Sequence, residues 1–379
     1  MQIKDATYIS YEGKLAREVW YEGTLVWQTS SFGWTLSNLP QGTWTDIEYC
    51  NNGTIVAVGN NRYSYSVNNG TTWGTVTNPI NPDTGTEAYH ALCCGPNHMW
   101  VILEERTYAP YGSGKVYTTF NPATGLATYT LSDPVSTAKY TDLLYSSYHG
   151  KYVAIGDKVT RYTSNLVGAY STDGVNWLSA GYLNTSNQVV FHNSGYSGGI
   201  TEGTYMPNNR LVCCGVGGGF KFGYSNDGMT WKQGLYSAST SPLGQNLLTG
   251  HAWSDVTYGY DGAASLPLSG RYVAVNSSGA TVEFQFAYSD DGIGWYGVSY
   301  PDGSNLKQNW SSVVYGNGYF VALGSNGYQA MSKDGVSWSV YQNLPLNEAF
   351  FDVCVANNRF VALVYNSTGG GAAYANFIF

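Results

Sequence analysis

Charge is scarce in this chain. Of its 379 residues only 11% are Asp, Glu, Lys or Arg, less than half the roughly 25% of an average soluble protein. With 17 basic against 25 acidic residues, a net charge of −8 and no basic run, it lacks the clustered positive charge that tracks phosphates. Nucleic acid is therefore not an expected partner. Long hydrophobic runs are missing too. Stretches such as "RFVALVY" (Arg359–Tyr365) fall far short of the roughly 20 residues that cross a bilayer, so no membrane insertion is expected. The opening "MQIKDATYIS" has no apolar core of a secretory leader, and none is expected.

The six cysteines, Cys50, Cys93, Cys94, Cys213, Cys214 and Cys354, each lie in or beside an apolar β-like run without CxxC spacing. They read as small buried hydrophobes, compatible with synthesis in a reducing cytoplasm. His90, His98, His149, His192 and His251 are scattered without ligand spacing, so no metal and no cofactor is expected. "GVGGGF" (Gly215–Phe220) lacks the Lys-Ser/Thr and the helix of a phosphate loop and reads as a turn.

What the chain has in abundance is Gly (47) and Tyr (34), and two signals recur in near alternation. The first is a boxed turn: "SVNNGTTW" (Ser66–Trp73), "STDGVNW" (Ser171–Trp177), "SNDGMTW" (Ser225–Trp231), "SDDGIGW" (Ser289–Trp295) and "SKDGVSW" (Ser332–Trp338). The second is a pair of apolar runs around an Asn/Gly-rich turn, as in "TDIEYCNNGTIVAVG" (Thr45–Gly59) and "SSVVYGNGYFVALG" (Ser311–Gly324), which reads as a β-hairpin. Seven such hairpins occur, with Tyr49, Cys93, Tyr145, Tyr205, Tyr258, Tyr315 and Val355 as equivalent landmarks at intervals of 40 to 60 residues. That period fits one four-stranded blade per repeat and predicts an all-β, seven-bladed propeller over residues 29–379.

Blade 2 breaks the pattern, with "TTFNPATGLATY" (Thr118–Tyr129) where a box is due. Blade 7 runs out of chain after "GGAAYANFIF" (Gly370–Phe379), whereas "SFGWTLSNLPQGTWTDI" (Ser31–Ile47) resembles "VSWSVYQNLPLNEAFFDV" (Val336–Val353). The N-terminal segment is therefore expected to supply the fourth strand of blade 7 and close the ring without an open edge.

The boxed turns resemble the Asp-box repeats of sialidase-like β-propellers, with Asn68, Asp173, Asp227, Asp291 and Asp334 in the acidic place and Trp73, Trp177, Trp231, Trp295 and Trp338 closing each turn. A short acidic side chain accepts hydrogen bonds from the N–H groups that follow it, Gly allows positive φ, and Trp buries its ring. The boxes are read as structural, because each lacks a partner base or nucleophile. The resemblance also implies where a sialidase would keep an arginine triad. Here Arg210, Arg271 and Arg359 fall at equivalent repeat positions, Arg17 lies outside the propeller, and Arg62, Arg106 and Arg161 have no accompanying motif. Glu104, Glu105, Asp157, Glu202 and Glu283 show no pairing in their spacing and read as solvated loop carboxylates. No enzyme is expected.

Insertions mark a candidate binding face. "ERTYAPYGSGK" (Glu105–Lys115) and "GDKVTRYTSNLVG" (Gly156–Gly168) lengthen b–c connections, and residues 74–89, 178–199 and 232–253 lengthen d–a connections, all on one face of the ring. They carry Tyr108, Tyr111, Tyr162, Tyr182, His192, Tyr196 and Tyr236 among Asn, Ser and Gly, a composition suited to sugar or protein recognition.

Residues 1–28 stand outside the blades, with an internal near-repeat of "YEGKLAREVW" (Tyr11–Trp20) and "YEGTLVW" (Tyr21–Trp27). Trp20, Leu25 and Trp27 of this small β segment need a partner. The segment resembles the short Gly-Thr-Leu-Val-Trp stretches of tail and other virion proteins of tailed bacteriophages. That resemblance implies attachment to other virion proteins and a host-surface polysaccharide as target. The alternatives are a purely structural neck, tail or capsid decoration protein and a glycan-cleaving glycoside hydrolase.

Overall fold

The computed structural model describes residues 9–376 apart from stretches of connecting chain, the longest being 77–86, 107–114, 131–138, 184–199, 237–245 and 300–307. Among the described residues there is no α-helix, and the strands form seven four-stranded antiparallel blades. The innermost strands are Trp44–Cys50, Glu87–Cys94, Lys139–Ser146, Ile200–Tyr205, Trp253–Gly259, Trp310–Gly316 and Ala349–Ala356. Each second strand contains an apolar stretch that is almost wholly buried, as in Thr54–Gly59 and Leu211–Gly215. A strand sandwiched between neighbouring blades has no solvent face, so alternation disappears there.

The ring closes as expected. Thr35–Leu36 pairs antiparallel with Gly369–Asn376 through Tyr374↔Thr35 and Ala373↔Leu36. The Ser37 and Gly42 amides donate to Ala372 O at 2.9 Å and Gly370 O at 3.2 Å. Trp34 is buried and tilts against Phe350 at 5.1 Å between ring centroids, in the place a boxed Trp fills elsewhere. Residues 9–28 contribute two separate hairpins, Ile9–Tyr11 with Lys14–Ala16 and Glu18–Tyr21 with Thr24–Gln28. Trp20 pairs with Leu25 in the second, and Trp27 with Val19.

Every innermost strand carries a bulge near its start, skipping Thr45, His90, Thr141, Thr201, Ser254, Ser311 and Phe351. The extra residue turns its side chain out of the ladder, and a hydroxyl there reaches the next blade. Thr45, Ser254 and Ser311 donate to Tyr89 O, Trp310 O and Phe350 O at 2.9, 2.7 and 2.5 Å. This register corrects one sequence landmark. Cys94, not Cys93, is equivalent to Tyr49, and a slip of one residue swaps the two faces of a strand.

One further expectation needs correction, and one join between blades was not anticipated. The Gly156–Gly168 insertion is not a loop: strands Lys151–Thr160 and Thr163–Ser171 continue pairing out to Thr160↔Thr163. Blades 3 and 4 are also joined edge to edge, because Leu178–Leu183 runs parallel to Thr230–Gln233 through Gly181↔Thr230 and Leu183↔Lys232.

Candidate functional site: an acidic axial cavity

The boxed turns are built as the sequence suggests. In blade 6, Asp334 Oδ1 accepts from the Val336 and Ser337 amides at 2.8 and 2.7 Å, Ser332 Oγ takes the Gly335 amide at 2.8 Å, and Trp338 Nε1 donates to Gly335 O at 3.1 Å. Asp173, Asp227 and Asp291 repeat the pair of amide contacts, and Asn68 accepts from Thr72 N in blade 1. Burial pushes the Asp173 carboxyl up, but the amides and side chains of Asn176, Val175 and Ser171 outweigh it and hold the group at about 2. Asp227 and Asp334 are lowered in the same way, against the effect of burial. These are ionised structural acceptors.

Blade 2 has a disguised version of the same turn. Thr119 stands for Ser, and Asn121 accepts from the Ala123 amide at 3.0 Å. Pro122 replaces Gly, its carbonyl taking the Tyr63 hydroxyl at 2.8 Å. The Thr-x-Asn spacing was visible in the sequence, but Pro hid it.

The arginines are equally committed. Arg271 Nη1 donates to Asp334 O in the next blade at 2.6 Å while its guanidinium pairs with Asp290 and covers the Tyr288 ring at 4.3 Å. Arg210 reaches Asp291 O and lies over Tyr224, and Arg359 reaches Asn69 O and lies over Tyr374. Each clamps the boxed turn of the following blade.

The tentative ligand residues divide. Tyr108, Tyr111, Tyr162, His192 and Tyr196 lie outside the described residues. Tyr182 is placed only by its backbone, on the strand joining blades 3 and 4, opposite Trp231. Tyr236 is a correction: it is 1% exposed, packs edge-on against Phe222, and its hydroxyl takes the Lys221 amide at 3.1 Å and the Gln233 amide group at 2.6 Å. It belongs to the core. Glu104 is likewise no solvated loop carboxylate, being 4% exposed and accepting from the Tyr117 hydroxyl at 2.7 Å.

What the sequence reading missed lies on the ring axis. The position just after each bulge is held in turn by Asp46, Ala91, Asp142, Glu202, Asp255, Ser312 and Asp352, five acids in seven places. Asp46, Asp255 and Asp352 each accept the N–H one place further along the next blade's strand, from Leu92, Val313 and Ile47 at 2.7, 2.6 and 3.0 Å. The Ser312 hydroxyl lies 2.7 Å from Asp255 Oδ2 and 3.1 Å from Asp352 Oδ1, and Asp352 is hydrogen-bonded to Asp46. A necklace thus runs from blade 5 through blades 6, 7 and 1 to blade 2. The signal was present in "TDIEY", "TDLLY", "SDVTY" and "FDVCV", but only closure of the ring brings these residues together.

Asp46, Asp142, Asp255 and Asp352 face a cavity of about 810 Å³ whose lining also includes Glu48, Tyr49, Tyr145, Ser147 and Thr257. It reaches the a–b turns at Asn51 and Pro96. Burial, reinforced by the charges of Asp352 and Asp142, pushes Glu48 up to about 8. Burial and Asp352 raise Asp255 to about 7, and burial with the Asp352 and Asp142 charges raises Asp46 far above the usual carboxylate range. At neutral pH part of the ring is therefore protonated, so it presents hydroxyl donors as well as carboxylate acceptors.

The cysteine reading is corrected in part. Cys93, Cys213, Cys214 and Cys354 are buried and outside any disulfide, but Cys50 and Cys94 form one between blades 1 and 2, with 5.5 Å between Cα atoms. The His98 imidazole Nδ1 lies 3.6 Å from Cys50 Sγ.

No family model and no curated protein matches the chain. Solved structures do. The structure of YCF48 bound to D1 peptide superposes with a TM-score of 0.59 at 14% identity, covering 91% of this chain and 94% of that one. Inactivated virginiamycin B lyase from Staphylococcus aureus with quinupristin gives 0.61 at 12% identity, covering 91% and 99%. Penicillium chrysogenum α-L-arabinanase complexed with arabinobiose gives 0.50 at 11% identity, covering 90% and 95%. Likeness at such low identity is one of fold, and it places the chain among β-propellers whose functions range from peptide binding to lyase and arabinanase activity.

Proposed function

We propose that this chain is a non-enzymatic recognition module of a tailed-bacteriophage particle, joined to other virion proteins through residues 1–28, whose propeller binds a host-surface glycan. The observation that carries the reading is the axial cavity, in which carboxyl groups stand beside Tyr49 and Tyr145 and the hydroxyl-bearing Ser147 and Thr257. Its volume is that of a small-ligand site. Paired carboxyl acceptors and donors suit vicinal sugar hydroxyls, and rigid Tyr rings suit the apolar face of a pyranose. The repeated elements are consumed structurally: the boxes close their own turns, and Arg210, Arg271 and Arg359 clamp the turn of the next blade.

A second reading rests on the raised carboxyls of Glu48 and Asp255. A protonated acid beside an ionised one is the pairing that glycoside hydrolysis requires. One experiment separates the readings. The labelled full chain is screened on bacterial surface polysaccharides, with each well assayed for released oligosaccharide. Binding without release that weakens at least tenfold in Glu48→Gln supports the recognition module. Release lost in the same variant establishes the hydrolase. Absence of both leaves a structural neck, tail or capsid role and overturns the proposal.

A further inference from the structure

The Cys50, Cys94 and His98 cluster recurs nowhere else in the ring. At the position of Cys50 the other blades carry Gly95, Ser146, Met206, Gly259, Gly316 and Ala356, and at that of Cys94 they carry Tyr49, Tyr145, Tyr205, Tyr258, Tyr315 and Val355. Blade 2 also departs in its a–b turn, where Pro96–His98 forms one 3-10 turn. Two consecutive residues there have positive φ, Asn97 at 55° and His98 at 62°. Among the described residues His98 is the single positive-φ side chain that is neither Asn nor Gly. Residues other than glycine adopt this conformation at a cost, borne where the surroundings fix it. Here the result is an imidazole turned onto a pair of sulfurs.

The three ligand atoms, both Sγ and the imidazole nitrogen, lie within 4.8 Å of one another. A tetrahedral zinc ion with Zn–S near 2.3 Å and Zn–N near 2.0–2.1 Å places sulfur and nitrogen about 3.6 Å apart and its two sulfurs about 3.8 Å apart. The observed Cys50 Sγ to His98 Nδ1 separation of 3.6 Å already fits the first requirement. Opening the disulfide supplies the second, since the cysteines come from different blades, Cys94 is half-buried where it lines the cavity, and His98 is exposed in the adjoining turn.

We propose that Cys50, Cys94 and His98 are a redox-gated zinc site: an inter-blade disulfide when oxidised, and a two-thiolate, one-imidazole centre with one open coordination position when reduced. The steps balance. A dithiol reductant gives two electrons and two protons to the Cys50–Cys94 bond, leaving two thiols and becoming a disulfide itself. Zinc then displaces the two thiol protons, and His98 coordinates as the neutral imidazole. Cys50 and Cys94 line the same cavity as the carboxyl groups, but the metal readout does not require a glycan, so the two readings can fail separately.

The test uses the full chain, reduced with dithiothreitol, desalted under argon and titrated with Co²⁺ as a spectroscopic stand-in for Zn²⁺. One equivalent should give a thiolate-to-cobalt charge-transfer band that Zn²⁺ bleaches, and the air-oxidised protein should give none. His98→Ala, at an exposed turn and checked for an unchanged melting transition, should weaken Co²⁺ at least tenfold, and Cys94→Ser should abolish the band. A reduced protein without the band, or a band that survives Cys94→Ser unchanged, overturns the proposal. So does unchanged affinity in His98→Ala.

Discussion

The carboxyl ring makes the stability of this propeller fall as pH rises, and Glu48 gives the cleanest test. Its ordinary value of 4.5 is pushed up to about 8, first by burial and then by Asp352 and Asp142. Between those values the native state holds a proton that the unfolded chain has released, so stability declines with rising pH across that window. The gap of about 3.5 pH, at roughly 1.4 kcal/mol for each tenfold change in proton affinity, sets a ceiling of about 5 kcal/mol. Glu48 keeps part of its surface toward the cavity, and screening there reduces the expected effect to about 2–3 kcal/mol. Urea unfolding of the full chain at pH 5, 6.5 and 8 should show a falling midpoint. Glu48→Gln should match wild type at pH 5 and exceed it by that amount at pH 8. Parallel pH profiles for the two proteins would refute the assignment. Asp173, Asp227 and Asp334 act in the opposite sense: their carboxyls are lowered, so their contribution is present above the ordinary aspartate value and lost at lower pH, for Asp173 as pH falls from about 4 to 2. The two trends together predict greatest stability at mildly acidic pH.

Four further outcomes follow from the contacts. Deleting Ser31–Pro40 removes the last strand of blade 7 and should abolish the cooperative transition; a deletion protein that melts like wild type contradicts ring closure by this strand. Asp334→Ala leaves the Val336 and Ser337 amides without their acceptor and should cost about 1–3 kcal/mol. Asp334→Asn should recover most of that by the contact Asn68 makes natively, so equal losses would refute the mechanism. Gly335→Ala combines a φ of +71° with a Cβ 2.5 Å from Val273 Cγ2, whereas Gly318→Ala has φ +78° and open space; calorimetry should show the first destabilised by roughly 1–3 kcal/mol more. Removing residues 1–28 should leave the melting transition of the remaining chain unchanged, and a large downward shift would show that the hairpins stabilise the ring.

The propeller was legible because its signals are local. A boxed turn closes within eight residues and a hairpin within about sixteen, so both register in a linear reading, and Trp34 with the "NLP" echo even betrayed the closing strand. The axial ring was not legible for the converse reason. Asp46, Asp142, Asp255 and Asp352 are each unremarkable within their own repeats, and their proximity depends on the radius of the closed ring. Cys50 and Cys94 were hidden differently. Taking Cys93 as the counterpart of Tyr49 ignored the bulge at His90, and that single residue decides which sulfur turns toward blade 1. Tyr236 shows the same limit from the other side, since an aromatic in an insertion reads as a binding residue until the neighbouring blade is seen to bury it.

A ring of similar blades uses its recurrent residues on one another. The box Ser, Asp, Gly and Trp close turns, the arginines at the start of the second strands clamp the next turn, and the bulge hydroxyls tie adjacent inner strands. Residues that occur once are not explained that way. Glu48 occupies a position filled elsewhere by Cys93, Leu144, Thr204, Thr257, Val314 and Cys354, none of which brings a carboxylate to the axis. Thr serves that position in two blades, so folding alone does not require an acid there, and at neutral pH the acid works against the fold. Natural proteins accept such local destabilisation where a site is used. Glu48, Cys50, Cys94 and His98 all belong to blades 1 and 2, the same two blades whose boxed turns depart from the Ser-x-Asp-Gly pattern through Asn68 and Pro122. The exceptions to the repeat therefore cluster in two neighbouring blades, three of them, Glu48, Cys50 and Cys94, on the cavity wall, and that sector is where ligand and metal chemistry should be sought.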